Sequence, residues 1–246
     1  MINTVDEIET IDVSKYEIID LTHDMYHRMP GWPGHSQFTV EDLKIFNIDG
    51  YAVKKMSLNT HHGTHIDVEA HMIENGRTLD TYPLESLMGN AIIIDVSDSK
   101  PASPIELSSI KKYEKLIGKG DIVLLYTGWD KLRGNSLKYL FEWPYVDTDL
   151  AKYLADKQIK MVGTDGLSIG GWGGDVPAHK MVTDSAGEVH RILLKKNIII
   201  LEEVANLGKL LDGNEFMKTF FMAIPLKLDG ADGSPVRALA FRRKVI

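Results

Sequence analysis

Short runs of β-branched and aliphatic residues, each closed off by turn residues, constrain this 246-residue chain more than any other feature. Ala91–Val96, Ile122–Tyr126, Met161–Gly163, Ile198–Leu201 and Phe220–Leu228 read as buried strands. Helical patterns lie between some of them. Asp147-Thr148-Asp149 offers a cap for a helix through Ile159, whose apolar residues Leu150, Tyr153 and Leu154 recur at helical spacing. Asp184-Ser185 offers a cap for a helix from Ala186 to Lys196, with Val189, Ile192 and Leu193 on one face. The stretch Asp229–Pro235 lies between two apolar runs and reads as a turn between strands. Its acidic residues do not alternate as a calcium loop requires. The expected class is α/β or α+β with many strand pairings. The alternation is too irregular to specify a doubly wound sheet.

Composition narrows the function. The 43% hydrophobic and 26% charged residues are ordinary for a soluble globular protein. Neither repeat, low-complexity tract nor linker divides the chain, so residues 1–246 are expected to form a single domain with a β-rich core flanked by helices. Lys+Arg 28 against Asp+Glu 35 leaves a net charge of −7, which argues against nucleic acid or an anionic membrane as partner. The basic end Arg242-Arg243-Lys244 reads as a solvated strand end. The absence of cysteine excludes disulfides, thiolate metal sites and a Cys nucleophile, and fits a reducing compartment. Met1–Glu7 lacks the basic-then-apolar pattern of a signal peptide, and no apolar run approaches the ~20 residues of a membrane span. A cytoplasmic protein acting on a small molecule is expected.

The chemistry concentrates between Asn59 and His71, where four of the nine histidines share 13 positions with Asp67 and Glu69. Neutral imidazole with carboxylate suits zinc, manganese or iron. If His65-Ile66-Asp67 is extended, His65 and Asp67 point to one side and Ile66 enters the core. Gly63 permits the sharp turn that would bring His61 to the same ion. A turn after Asp67 would bring His71 close without making it a ligand. A His-Glu-x-x-His helix is absent. The competing reading, histidines capping turns at the surface, suits one isolated histidine better than four around a Gly-Thr elbow.

His61-x-Gly63-Thr64-His65-x-Asp67 followed by His71 resembles the signature of the cyclase family of metal-dependent hydrolases, which includes bacterial kynurenine formamidases and isatin hydrolases. The resemblance extends along the chain. Ile19–His23 and Met29–Gly34 are similar to the family's N-terminal motifs, Ile122–Trp129 to its central strand, and Ile224–Ala238 to its C-terminal hairpin. It implies a swivelling β/β/α fold, assembled as dimers or tetramers, and metal binding by His61, His65 and Asp67. It also implies that His71 transfers the proton, and that His190 and Glu202, twelve residues apart, complete a second metal position. Trp32 matches a residue lining the substrate pocket. Two features depart from the family. Glu69 stands where a Pro is usual, and the glycine-rich insert Gly170–His179 has no match among the formamidases.

The implied reaction is hydrolysis of a C–N bond in a small aryl formamide or related amide. A metal-activated water is the nucleophile and His71 the general acid and base. One or two ions per chain are expected, zinc first and manganese second. Cyclic amides such as isatin, and lactones, are alternative substrates. A non-catalytic metal- or ligand-binding protein is the alternative from another class. Gly166-Leu167-Ser168-Ile169-Gly170 also matches a serine nucleophile elbow, but the glycines and Pro177 after it are poor material for the helix that elbow must open.

Overall fold

The computed structural model describes residues 12–172 and 184–244. Among the described residues ten strands form: β1 (Tyr16–Asp20), β2 (Thr39–Lys44), β3 (Val53–Ser57), β4 (His65–Asp67), β5 (Met88–Asp95), β6 (Ile122–Tyr126), β7 (Met161–Thr164), β8 (Ile199–Glu202), β9 (Phe216–Pro225) and β10 (Gly233–Arg243). The helices are α1 (Phe46–Asp49), α2 (Leu107–Lys111), α3 (Leu137–Phe141), α4 (Thr148–Asp156), α5 (Asp184–Leu194) and α6 (Leu207–Leu211).

Eight strands make one mixed sheet in the order β1-β10-β4-β8-β7-β6-β5-β9, with β5 to β8 parallel and the other pairs antiparallel. Because β9 pairs with both β5 and β10, the sheet from β10 round to β9 closes on itself. The parallel strands are buried on both faces, as uninterrupted apolar runs require. In β5, Ala91 and Ile93 join an inner cluster with Ile66, Leu124, Leu201 and Phe221. Ile92 and Ile94 face outward against Ile110 of α2, Leu150 and Leu154 of α4, and Val189 and Leu193 of α5. The mixed α/β class and the β-rich core match expectation; closure of the sheet was not foreseen.

The predicted elements shift at their ends. Asp147 caps α4, its Oδ1 accepting the N–H groups of Asp149 and Leu150. The helix stops at Asp156 instead of Ile159, because Gln158 adopts φ +55°, outside the helical region. The helix beginning near Asp184 forms, whereas the caps assigned to the Asp184 and Ser185 side chains lie outside the described residues. β9 starts at Phe216 and ends at Pro225, so it is displaced toward the N-terminus relative to Phe220–Leu228. Its extent is set by pairing with β5, from Met88↔Met222 to Ile94↔Phe216. The ribbon β2–β3 is a separate two-stranded sheet. Among the described residues no helix is long and apolar enough to cross a membrane.

Candidate metal centre

The site lies at the carboxyl ends of β7 and β8, where parallel strands leave a crevice. β4 is wedged between β10 and β8, with His65 opposite Glu202 and Asp67 opposite Ile200. Alternation along this three-residue strand sends Ile66 into the inner core and sets His65 and Asp67 on the other side. Gly63 takes φ +67°, the left-handed conformation a side chain resists, and returns the chain so that His61 faces Asp67. The hydroxyl of Thr64 donates to the Glu203 carbonyl at 2.5 Å and accepts the His23 N–H at 3.0 Å, which ties this turn to two other segments.

Five expected residues converge. His61 Nδ1 lies 2.7 Å from Asp67 Oδ1. His65 Nε2 is 3.4 Å from both Asp67 Oδ1 and Glu202 Oε2. His190, brought in by α5, places Nε2 at 3.1 Å from Glu202 Oε1 and 3.6 Å from Asp67 Oδ2. His65 and His190 each donate Nδ1–H to a backbone carbonyl, of Gly63 (2.7 Å) and Ala186 (2.8 Å). That arrangement fixes both rings and leaves Nε2 as the nitrogen facing the carboxylates. Glu202 is held in turn, Oε1 accepting the Ile169 N–H at 2.7 Å and the Ser168 hydroxyl at 2.9 Å.

The charges are as concentrated as the geometry suggests. Burial opposes charge on His61, but Asp67 and Asp232 outweigh it and raise the imidazolium to about 9. Burial is likewise overcome at His190, where Asp67 and Glu202 raise it to about 10. Burial and the Asp67 charge both oppose ionisation of Glu202, yet His190 and His65 hold it at about 2. Asp67 is held well below the usual carboxylate range against its burial, by the charges of His71 and His61.

This donor set fits a divalent cation. Among the described residues, His65 Nε2 and Asp67 Oδ2 are buried with no hydrogen-bond partner, although each lies among groups of opposite charge. Buried polar atoms are seldom left so. One ligand atom each from His61, His65 and Asp67 falls within 4.8 Å of the others, and the same holds for Asp67, His71 and His190.

The cluster opens into a pocket lined by Trp32, His35, Met72, Leu167 and Ser168 besides the histidines and acids. Trp32, the tryptophan that lines the pocket, is backed by Trp172 with ring centroids 5.1 Å apart and by Trp143 at 6.0 Å. His71 sits in a one-turn helix, Glu69–His71, and lines the pocket. Glu69, where the family usually has a proline, ties its loop to Arg77 by accepting the Arg77 N–H at 3.0 Å. Part of the glycine-rich insert, residues 173–179, lies outside the described residues. Ser168 bonds Glu202 rather than a histidine, and no helix follows within the described residues 169–172, so the serine elbow is not built. His62, which has no chemical task, bonds the Ser36 carbonyl at 2.9 Å and accepts the Asn59 N–H at 2.9 Å, joining two loops.

Sequence reasoning missed Asp232 and Glu203. Asp232 Oδ2 lies 2.8 Å from His61 Nε2. Its segment reads as a turn in sequence, and only the antiparallel pairing of β10 with β4 brings that turn to the site. Glu203 is buried against Arg133 (3.2 Å) and the Tyr139 hydroxyl (3.2 Å). Its neighbour Glu202 was the only signal.

Comparisons with known proteins identify the family and the fold. The family model described as putative cyclase matches residues 19–170. A kynurenine formamidase from Bacillus thuringiensis is 30% identical over 224 residues, covering 91% of this chain and 96% of that protein. A crystal structure of an isatin hydrolase bound to the product analogue thioisatinate superposes with TM-score 0.79 at 27% identity, covering 94% of each chain. The structure of a potential metal-dependent hydrolase with cyclase activity gives a TM-score of 0.71 at 29% identity, covering 94% of this chain and 100% of that one. The chain belongs to the cyclase family of metal-dependent hydrolases.

Proposed function

We propose that this chain hydrolyses the C–N bond of a small aryl formamide or related amide. In this reading His61, His65, Asp67, His190 and Glu202 hold one or two divalent ions, zinc or manganese, and His71 moves the proton. The observation that carries it is the pair of buried, unpartnered ligand atoms, His65 Nε2 and Asp67 Oδ2, at the base of an aromatic-walled pocket. A bound divalent metal supplies Lewis acidity to a carbonyl and lowers the pKa of water. Trp32 provides a flat face for the aryl ring, and Leu167 and Met72 exclude water beside it. His71 takes a proton from the attacking water and returns it to the departing amine; imidazole suits both transfers near neutral pH.

A cyclic amide of the isatin type is the second reading. It is supported by the likeness to an isatin hydrolase and by Trp32, whose face on the pocket, held from behind by Trp172, suits a flat bicyclic ring. The proposal includes residues 1–246 acting as one domain, a cytoplasmic setting and a homodimer or homotetramer. Elemental analysis of the purified protein, coupled to a panel of N-formyl anilines, cyclic amides and lactones with and without chelator, tests it. Chelator-sensitive cleavage of N-formyl anilines is expected. A metal-loaded protein that cleaves nothing on the panel supports a binding protein instead.

A further inference from the structure

On the reading that His61 is a ligand and His71 the proton carrier, we propose that Asp232 is a positioning residue that orients both imidazoles at once. Its Oδ2 lies 2.8 Å from His61 Nε2 and 3.4 Å from His71 Nδ1. Its Oδ1 accepts the Thr60 hydroxyl at 2.8 Å, so both oxygens are engaged and the carboxylate cannot turn away. The two rings it serves are neighbours, their centroids 4.1 Å apart.

An ionised carboxylate only accepts hydrogen bonds. It therefore holds an N–H on His61 Nε2, so that Nδ1, beside Asp67, is the nitrogen that would give up its proton to a metal. At His71 it draws N–H to Nδ1 and leaves Nε2, which makes no hydrogen bond to the described residues, to exchange protons with the substrate. Outer carboxylates commonly fix ligating histidines this way; here one carboxylate does so for a ligand and a base together.

The backbone is built to hold it there. The Val68 N–H donates to the Asp232 carbonyl at 3.1 Å and the Leu79 N–H to the Ala231 carbonyl at 2.8 Å, which fastens the turn to both sides of the His71 loop. The next residue is Gly233, where a Cβ would meet the Ile66 carbonyl oxygen at 2.5 Å and His61 Cε1 at 3.1 Å. Any other residue there would push the turn off the site.

Two replacements test the assignment: Asp232→Leu, of similar size and accepting nothing, and Asp232→Asn, which keeps one accepting oxygen. Asp232→Leu is expected to lower kcat roughly 100-fold with KM little changed, and to weaken zinc binding about 10-fold in competition with a chelator. The downfield imidazole Nδ1–H resonance of His71 should disappear from spectra of the metal-free protein. Asp232→Asn should retain zinc affinity close to the parent, with kcat between the other two proteins. A folded Asp232→Leu protein with parental kcat, zinc affinity and His71 resonance overturns the proposal. So does a loss confined to KM, which would make Asp232 a substrate contact. If Asp232→Leu does not fold, Asp232→Asn decides, and parental kcat with an unshifted resonance overturns the assignment. A parent protein inert toward every amide defeats the functional reading alone, because zinc affinity and imidazole spectra still judge Asp232.

Discussion

His61 lies between two carboxylates, Asp67 on Nδ1 and Asp232 on Nε2, and in the metal-free protein it is an imidazolium. That state has a consequence for pH. Folded-state values of about 9 for His61 and about 10 for His190 stand above the ordinary 6.5. The stability these contacts give is complete below pH 6.5 and is lost as pH rises through those two values. A metal ion must displace the same protons, so its affinity runs the other way and increases with pH across that window. Because burial at His65 is likewise outweighed by Asp67 and Glu202, zinc titrated at pH 7 in buffers of different ionisation enthalpy should release roughly three protons per chain, one from each ligating histidine. Release near zero would mean that His61 and His190 are not the ligands. His71 makes a different prediction. His71→Ala should keep its metal while kcat falls about 100- to 10,000-fold, the usual worth of a general acid–base. Turnover close to the parent, with metal retained, would remove His71 from the mechanism.

At the scale of elements, the site depends on β4, a strand of three residues held from both sides by β10 and β8. Ile66 anchors it, fully buried in the inner cluster. Ile66→Ala should cost about 2–5 kcal/mol in a denaturant titration, and should weaken metal binding because His65 and Asp67 flank the cavity it leaves. Equal stability loss with unchanged zinc affinity would show that β4 does not need Ile66 to aim its ligands. The parallel strands were legible because their apolar runs are buried on both faces, as at Ile122–Tyr126. The ligands were legible for a different reason: Gly63 and the alternation of His65-Ile66-Asp67 encode their geometry locally. Asp232 and Glu203 were not. Asp232 meets His61 across 171 positions of sequence, and Glu203 meets Arg133 across 70. Such encounters are set by strand order and sheet closure, which no local pattern reports. β2 and β3 were missed because neither has a buried face to impose alternation.

The whole molecule couples a closed, apolar sheet to a site assembled from distant segments, and buried polar ties hold the two together. The Arg133–Glu203 pair is one, with side chains 7% and 1% exposed beside the metal cluster. Arg133→Ala should destabilise by about 3–5 kcal/mol in a thermal or denaturant melt, since it leaves the Glu203 charge buried without its partner. The ribbon β2–β3 presents the opposite situation. Its charges are satisfied within itself: Lys54 pairs with Asp42, Lys55 with Glu41 at 2.9 Å and Lys44 with Asp49 at 2.9 Å. The apolar side chains of α1, which connects its two strands, are not covered, Phe46 standing 67% exposed and Ile48 80%. Apolar residues gathered on one projecting element mark an association surface, and with the ribbon's charges already matched a largely apolar partner face suits it. The proposed homo-oligomer therefore predicts a sedimenting species of at least two chains, and a smaller one for the double replacement Phe46→Asp with Ile48→Asp. Zinc affinity should be unchanged in that variant, because neither residue lines the metal pocket. A parent that sediments as a monomer at micromolar concentration would leave the ribbon without this role.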